Sequence, residues 1–333
     1  MDRRQLLALL AGAMASPAMA QSPADGLRVI MVGTSGPLPV RDRAKPCVAI
    51  MAGGALYLID IGPEATENMM TWRLPVSSAK AIFLTHMHSD HIGDLGEFNM
   101  QSWVQGRAQP LPLVGPPGVE KVARGFNLAY EDDQVFRRAH HERGEFKFSL
   151  DAGKLTPKTI AIPAGAMTTQ AWRDGDLTVT AIRVAHEPAE PALGYRFDYK
   201  GRSVSISGDT KKWLPFAEAS KGVDVMLHEA QHEGMTRQIS KMLGATGAAR
   251  TSSLMADTLT YHTTPVEAVE IAREAGAKRL VLYHLTQAGL PFFTPEAFGQ
   301  GMDAGGPLDW RLARDGMTID LPSGSGEIQF GQL

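Results

Sequence analysis

Thr85-His86-Met87-His88-Ser89-Asp90-His91 crowds three imidazoles and one carboxylate into a single short stretch directly behind the apolar run Ala81-Ile82-Phe83-Leu84. A strand that ends at Leu84 and turns sharply would present all four polar groups at the end of a sheet. Neutral imidazole nitrogen and carboxylate oxygen are donors that zinc and its first-row neighbours favour. Two adjacent sites can be built when His86 and His88 face one ion and Asp90 and His91 face the other.

Working outward, the same device recurs. Leu177 to Val184 is an alternating β-branched run that delivers His186, and Arg202 to Ile206 delivers Asp209 within Ser207-Gly208-Asp209-Thr210. Asp224 to Leu227 precedes His228-Glu229, and Arg279 to Tyr283 precedes His284. Apolar runs that end repeatedly on His or Asp imply strands converging on one edge of a sheet core, where open α/β proteins place their sites.

The flanking sequence supplies the rest of such a core. Leu27 to Val32, Cys47 to Ala52 and Ala55 to Ile61 read as strands, the last two joined through Gly53-Gly54 as a hairpin. Helices are expected from Pro63 to Trp72, Leu95 to Val104, 118 to 131 and Pro265 to Glu274, the last capped by Thr264 with Glu267 three residues on. A strand is expected at Leu111 to Val114 and a final one near Met317 to Leu321. Short strands alternating with helices point to an α/β sandwich. Asp60, at a strand end, is readable either as a ligand or as a hydrogen-bonding support for nearby loop backbone. Residues 131–172 break the pattern and read as an insertion over the site, with His140 and His141 either substrate contacts or surface residues. The Met235, Met242 and Met255 side chains of the Gln231 to Thr260 segment read as packing.

At 333 residues, 44% hydrophobic and 21% charged, the chain suits a soluble globular protein. Its formal net charge is −3 and gives no basic surface for nucleic acid. One cysteine, Cys47, excludes an internal disulfide and a thiolate metal cluster. Met1-Asp2-Arg3-Arg4, the apolar Leu6 to Met14 and Ala18-Met19-Ala20 compose a signal peptide over residues 1–20, of twin-arginine type. The mature chain, expected to start at Gln21, would be periplasmic or secreted, without a stable membrane anchor after cleavage.

The histidine stretch resembles the signature of the metallo-β-lactamase superfamily. Gly33-Thr34-Ser35-Gly36-Pro37, Leu58 to Thr66, Gly194-Tyr195-Arg196, Ser207 to Thr210, His228-Glu229-Ala230 and His262-Thr263-Thr264 resemble its tRNase Z branch, which also holds secreted arylsulfatases and phosphodiesterases. The resemblance implies an αββα sandwich forming one hydrolase domain over residues 21–333. It implies that His86, His88 and His186 hold one metal, that Asp90, His91 and His284 hold the other, and that Asp209 bridges them. Two zinc ions are implied, with manganese or iron as alternatives. A pair of ions about 3.5–4 Å apart acidifies a shared water for in-line attack. Asp90 would orient that nucleophile, His262 would protonate the leaving oxygen, Glu229 would hold His262, and His228 would stand behind them. The long basic arm that tRNA-cleaving relatives insert between Gly194-Tyr195-Arg196 and Ser207 is missing, so a small ester is expected and no nucleic acid. An aryl sulfate or phosphodiester comes first, a lactone or other acyl ester second, and a non-catalytic metal- or partner-binding protein third. Oligomeric state is left open, a homodimer included.

Overall fold

The computed structural model describes residues 25–145 and 147–333; the expected signal peptide lies outside them. The first sheet contains β1 (Gly26–Gly33), β2 (Cys47–Ala52), β3 (Ala55–Ile59), β4 (Ala79–Phe83), β5 (Leu111–Gly115) and β6 (Leu155–Thr159). The second contains β7 (Thr168–Asp174), β8 (Leu177–Val184), β9 (Ala192–Tyr199), β10 (Arg202–Ile206), β11 (Val225–Glu229), β12 (Arg279–Tyr283) and β13 (Trp310–Leu312). The chain then returns to the first sheet with β14 (Met317–Pro322) and β15 (Gln329–Gln332), giving the orders β15-β14-β1-β2-β3-β4-β5-β6 and β13-β12-β11-β10-β9-β8-β7.

Alternation along the strands builds four layers. In β2, Val48, Ile50 and Ala52 enter the core between the sheets, whereas Cys47 and Ala49 enter the core beneath the first sheet's helices. In β12, Val281 and Tyr283 face the inter-sheet core and Leu280 and Leu282 the second sheet's helices. Both faces of each strand are thus apolar, as a sheet covered on both sides requires. The result is the expected αββα sandwich. Phe83 of β4 anchors its centre, meeting Tyr195 and Phe197 of β9 edge-on at 5.4 and 5.5 Å.

The 131–172 stretch, read from the sequence as an insertion over the site, carries regular elements. It contributes a helix, Glu131–His141, and strands β6 and most of β7, which stand at the ends of the two sheet orders. Both strands are edges: of β6 only Leu155 is buried and of β7 only Ala171, so neither shows apolar alternation. Pro157 within β6 further disguises it. Among the described residues no helix is long and apolar enough to cross a membrane.

Arg107 fastens helix Leu95–Val104 to the segment before β6. The residue is 5% exposed, and its guanidinium donates to Ala152 O at 2.6 Å, Asn99 Oδ1 at 2.6 Å, Ser102 Oγ at 3.0 Å and the Gln109 carbonyl. Burial pulls its pKa down to about 10. Arg107→Ala leaves these buried acceptors unpaired and is expected to lower unfolding free energy by about 3 kcal/mol. Urea denaturation measures it, and a loss below about 1 kcal/mol would contradict the account.

Candidate metal centre

Five of the seven expected donors sit at strand exits or in the loop just beyond one. His86 and His88 follow β4, and Asp90 and His91 lie in the short helix Ser89–Ile92 that opens behind them. His186 follows β8, Asp209 follows β10 and His284 follows β12. Continued alternation would send residue 284 to the helix side with Leu280 and Leu282. His284 instead takes a left-handed backbone, φ 56°, which breaks the alternation.

Asp209 stands at the middle. Its Oδ2 lies 3.9 Å from Nε2 of both His86 and His186, 3.4 Å from Nε2 of His91 and 3.2 Å from Nε2 of His284. Asp90 Oδ2 is 3.6 Å from His91 Nε2 and 3.4 Å from His284 Nε2. His88 Nδ1 approaches His86 Nε2 at 2.9 Å and His186 Nε2 at 3.4 Å. The donor atoms of His86, His88, His186 and Asp209 all fall within 4.8 Å of one another, as do those of Asp90, His91 and His284.

These donors fit divalent ions. His91 Nε2, His284 Nε2 and Asp209 Oδ1 are buried with no hydrogen-bond partner among the described residues. With Zn–N near 2.0–2.1 Å, tetrahedral neighbours stand roughly 3.3–3.4 Å apart, close to the Asp209–His91–His284–Asp90 spacings. The ring nitrogens on the far side are committed elsewhere. His91 Nδ1 donates to Asp60 Oδ2 at 2.8 Å and His186 Nδ1 to Tyr261 O at 3.0 Å. Thr85 Oγ1 gives its proton to Asp60 Oδ2 at 2.8 Å and so accepts from His86 Nδ1 at 3.0 Å. Each ring is thereby fixed in the tautomer that leaves Nε2 bare.

The electrostatics agree. Burial holds the His86 imidazole well below its ordinary pKa and lowers His88 and His186. Burial also opposes protonation of His91 and His284, but the carboxylates of Asp209, Asp60 and Asp90 outweigh it for His91, and Asp209 and Asp90 do so for His284; both pKa values rise. Burial opposes ionisation of Asp90 and Asp209 in turn, yet neighbouring imidazoles hold Asp209 well below the carboxylate range and Asp90 at about 2. The two carboxylates require positive charge here.

Several supports were invisible or undecided in the sequence. Asp60 is a support: besides His91 it accepts Thr85 N at 2.8 Å, holding the base of the histidine loop. Asp60→Asn is expected to weaken metal binding about 10–100-fold, readable by competition with a chromogenic chelator; unchanged affinity would contradict it. Gly36 lies in the Gly33-Thr34-Ser35-Gly36-Pro37 motif. A Cβ there would stand 2.4 Å from Thr286 Oγ1 and 3.0 Å from His284 Cε1, so the loop can lie against the His284 ring only as glycine. Tyr195 donates to Leu84 O at 2.6 Å and Leu193 N to Thr85 O at 2.9 Å, tying β9 to the loop's base. Gly208, at φ 61°, passes where a Cβ would meet Leu193 O at 2.7 Å.

Glu229 and His262 also reach the centre. Glu229 Oε1 accepts from His262 Nδ1 at 3.0 Å, Thr263 N at 3.1 Å and Thr210 N at 3.2 Å, and a ring nitrogen of His262 falls within 4.8 Å of donors from Asp209 and His284. His228 does not join them. Strand parity turns it with Met226 toward the helices, its ring stands 5.6 Å from Phe216, and its Nδ1 donates to Glu229 O at 2.8 Å. His140 and His141 end the exposed helix Glu131–His141 and belong to none of the donor groups.

A helix-flanked double sheet with a buried His/Asp cluster at its strand exits defines a class, that of metal-binding hydrolases with the metallo-β-lactamase fold. A family model described as Beta-lactamase superfamily domain matches residues 56–285, and the chain belongs to that superfamily. Ribonuclease Z of Mycobacterium bovis is 30% identical over 79% of this chain and 87% of its own length, and that of Mycobacterium avium 29% identical over the same shares. Among solved structures, a metallo-beta-lactamase fold protein from Bacillus subtilis superposes with TM-score 0.61 at 18% identity, covering 88% of this chain and 99% of its own. The short form of human tRNase Z gives 0.59 at 21%, covering 89% and 99%. The resemblance to the tRNase Z branch is borne out, and with it a hydrolase whose His/Asp cluster can bind metal. The relatives named Ribonuclease Z stand at odds with the expectation of a protein that meets no nucleic acid.

Proposed function

We propose that this chain is a dinuclear metal-dependent hydrolase of phosphodiesters, with a small diester as its substrate. The observation that carries the reading is Asp209, whose Oδ2 lies between 3.2 and 3.9 Å from imidazole nitrogens of both donor sets and would serve two ions at once. His86, His88 and His186 would hold one ion, Asp90, His91 and His284 the other, with zinc favoured over manganese or iron. When bound, such ions supply an activated water and neutralise charge on the reacting oxygens.

The chain's own groups supply the rest. Asp90, partly open to solvent and held ionised, orients the nucleophilic water and accepts its proton. His262 gives its Nδ1–H to Glu229, which fixes the ring's orientation and aims Nε2 at the leaving oxygen, to which it delivers a proton. Thr263 Oγ1, donating to Thr210 O at 2.6 Å, ties the His262 loop to the Asp209 loop.

The test uses metal-replete protein beginning at Gln21. Elemental analysis should find about two ions per chain, and bis(p-nitrophenyl) phosphate should turn over ahead of p-nitrophenyl sulfate and a homoserine lactone. Turnover of the sulfate alone or the lactone alone would replace the substrate assignment; metal-dependent stabilisation without turnover would favour a binding protein. A second reading, RNA hydrolysis, draws on the relatives named Ribonuclease Z. Against it, β9 and β10 join through a tight turn at Lys200-Gly201, φ 46° and 79°, where the tRNA-binding arm would stand, and the net charge is −3. An RNA with a 3′ extension belongs in the same panel. Export to the periplasm or beyond is part of the proposal, and cell fractionation tests it.

A further inference from the structure

Helix Glu131–His141 is tied down along one face. Gln134 is buried and its Nε2 donates to Gly153 O at 2.8 Å, and two turns further on the His141 ring meets that of Phe148 at 5.5 Å. The opposite face is not the polar one that a surface helix ordinarily shows. Phe136 is 62% exposed and Val135 45%, and Leu128, 71% exposed at the end of helix Val119–Ala129, opens on the hollow beside Glu131. No other nine-residue stretch among the described residues exposes three large apolar side chains. Such a concentration marks a surface that something covers.

The charges beside it say what the cover is. Asp132, Phe136, Ala139 and Arg143 recur at intervals of four, three and four, so they follow one line along the outward face, and all are exposed; Arg143 stands in the turn just past the helix. Asp133 is already paired with Arg137, 2.8 Å away along the helix, whereas Asp132 and Arg143 meet no ion partner among the described residues. Acids in the first turn and bases in the last suit the helix dipole. That accounts for their order but not for a phenylalanine in water between them. Acid, large apolar, small apolar, base is a line that complements itself when reversed, which is what an interface between two identical surfaces requires.

We infer that this face docks on the same face of a second copy of the chain, the two helices running antiparallel about a twofold axis midway between Phe136 and Ala139. Asp132 precedes Phe136 by four positions and Arg143 follows Ala139 by four, so Asp132 meets the partner's Arg143 when Phe136 meets the partner's Ala139. The large ring then fills the gap over the small side chain, as close helix packing needs. Val135 and Leu128 extend the apolar strip to either side of the axis. A different protein would call for no such symmetry, and an anionic bilayer would repel Glu131 and Asp132. The inference does not depend on what the metal centre cleaves.

Sedimentation velocity on metal-replete protein beginning at Gln21, at about 1 to 100 µM, is expected to show the sedimentation coefficient rising from monomer to dimer. Phe136→Glu is expected to weaken association about tenfold or more, and Phe136→Leu, which stays apolar, to keep most of it. Asp132→Arg and Arg143→Asp should each weaken it about tenfold or more, because each sets like charges together twice across the axis. An equimolar mixture of those two variants is expected to recover the association, since one chain then carries two bases and the other two acids. Circular dichroism and thermal unfolding check that every variant folds. A chain that stays monomeric throughout overturns the inference, as does a dimer untouched by Phe136→Glu. A mixture that associates no better than either charge variant alone removes the antiparallel register and the inference with it.

Discussion

Asp209→Ala is expected to lower the chain's affinity for divalent metal by about 10²–10⁴-fold, because breaking a buried charge pair by removing one partner costs about 3–5 kcal/mol and each 1.4 kcal/mol is a factor of ten. The carboxylate is 2% exposed and faces four imidazole nitrogens at 3.2 to 3.9 Å. Among the described residues no other acid stands equally between both sets, since Asp90 is paired with His91 and His284. Metal per chain after dialysis against a weak chelator should fall by at least one ion, with diester turnover lost alongside. Denaturant unfolding with metal removed from both proteins separates lost binding from lost structure. Retention of both ions in the variant would show that Asp209 is not shared.

The second large effect is expected at His262. Replacement by alanine should slow a diester with an alkoxide leaving group by about 10²–10⁴-fold, the range in which a positioned general acid acts. A p-nitrophenolate leaves without needing a proton, so the same variant should slow that ester far less. The gap between the two substrates is the diagnostic quantity. Equal slowing of both would mark His262 as a structural support of the rim. Glu229→Gln keeps an oxygen able to accept the three N–H groups now meeting Oε1 but removes the charge behind the ring, so its effect should be smaller than that of His262→Ala.

The histidine stretch and the strand exits were legible because two signals coincide at each. A period-two apolar run marks a strand, and a change to His or Asp marks where it stops being buried. The strands at Cys47–Ala52, Leu177–Val184, Arg202–Ile206 and Arg279–Tyr283 and the helices at Leu95–Val104 and Pro265–Glu274 stand where the sequence put them, the last with its Thr264/Glu267 capping box complete. The capping box is readable because it depends on two residues at fixed spacing. β6, β7 and β15 were not legible, since an edge strand meets solvent on more than one side and loses the alternation that announces it. Nor could spacing reveal that His228 and Glu229 look in opposite directions, although counting outward from Val225 and Leu227 in the inter-sheet core would have done so. Asp60 and Gly36 act through partners distant in the chain, and a single sequence does not record such pairings.

His86, His88, Asp90 and His91 come from the first sheet's side of the molecule, whereas His186, Asp209 and His284 come from the second. Ions bound between them would act as a clasp across the seam of the sandwich. Beneath that clasp the two leaves are held mainly by non-directional apolar contact and by a few ties such as Tyr195 to Leu84. Metal loading would then govern how readily the leaves part as well as what the enzyme can cleave, so a chain starved of metal would be prone to opening along this seam at the mouth of its own catalytic cleft.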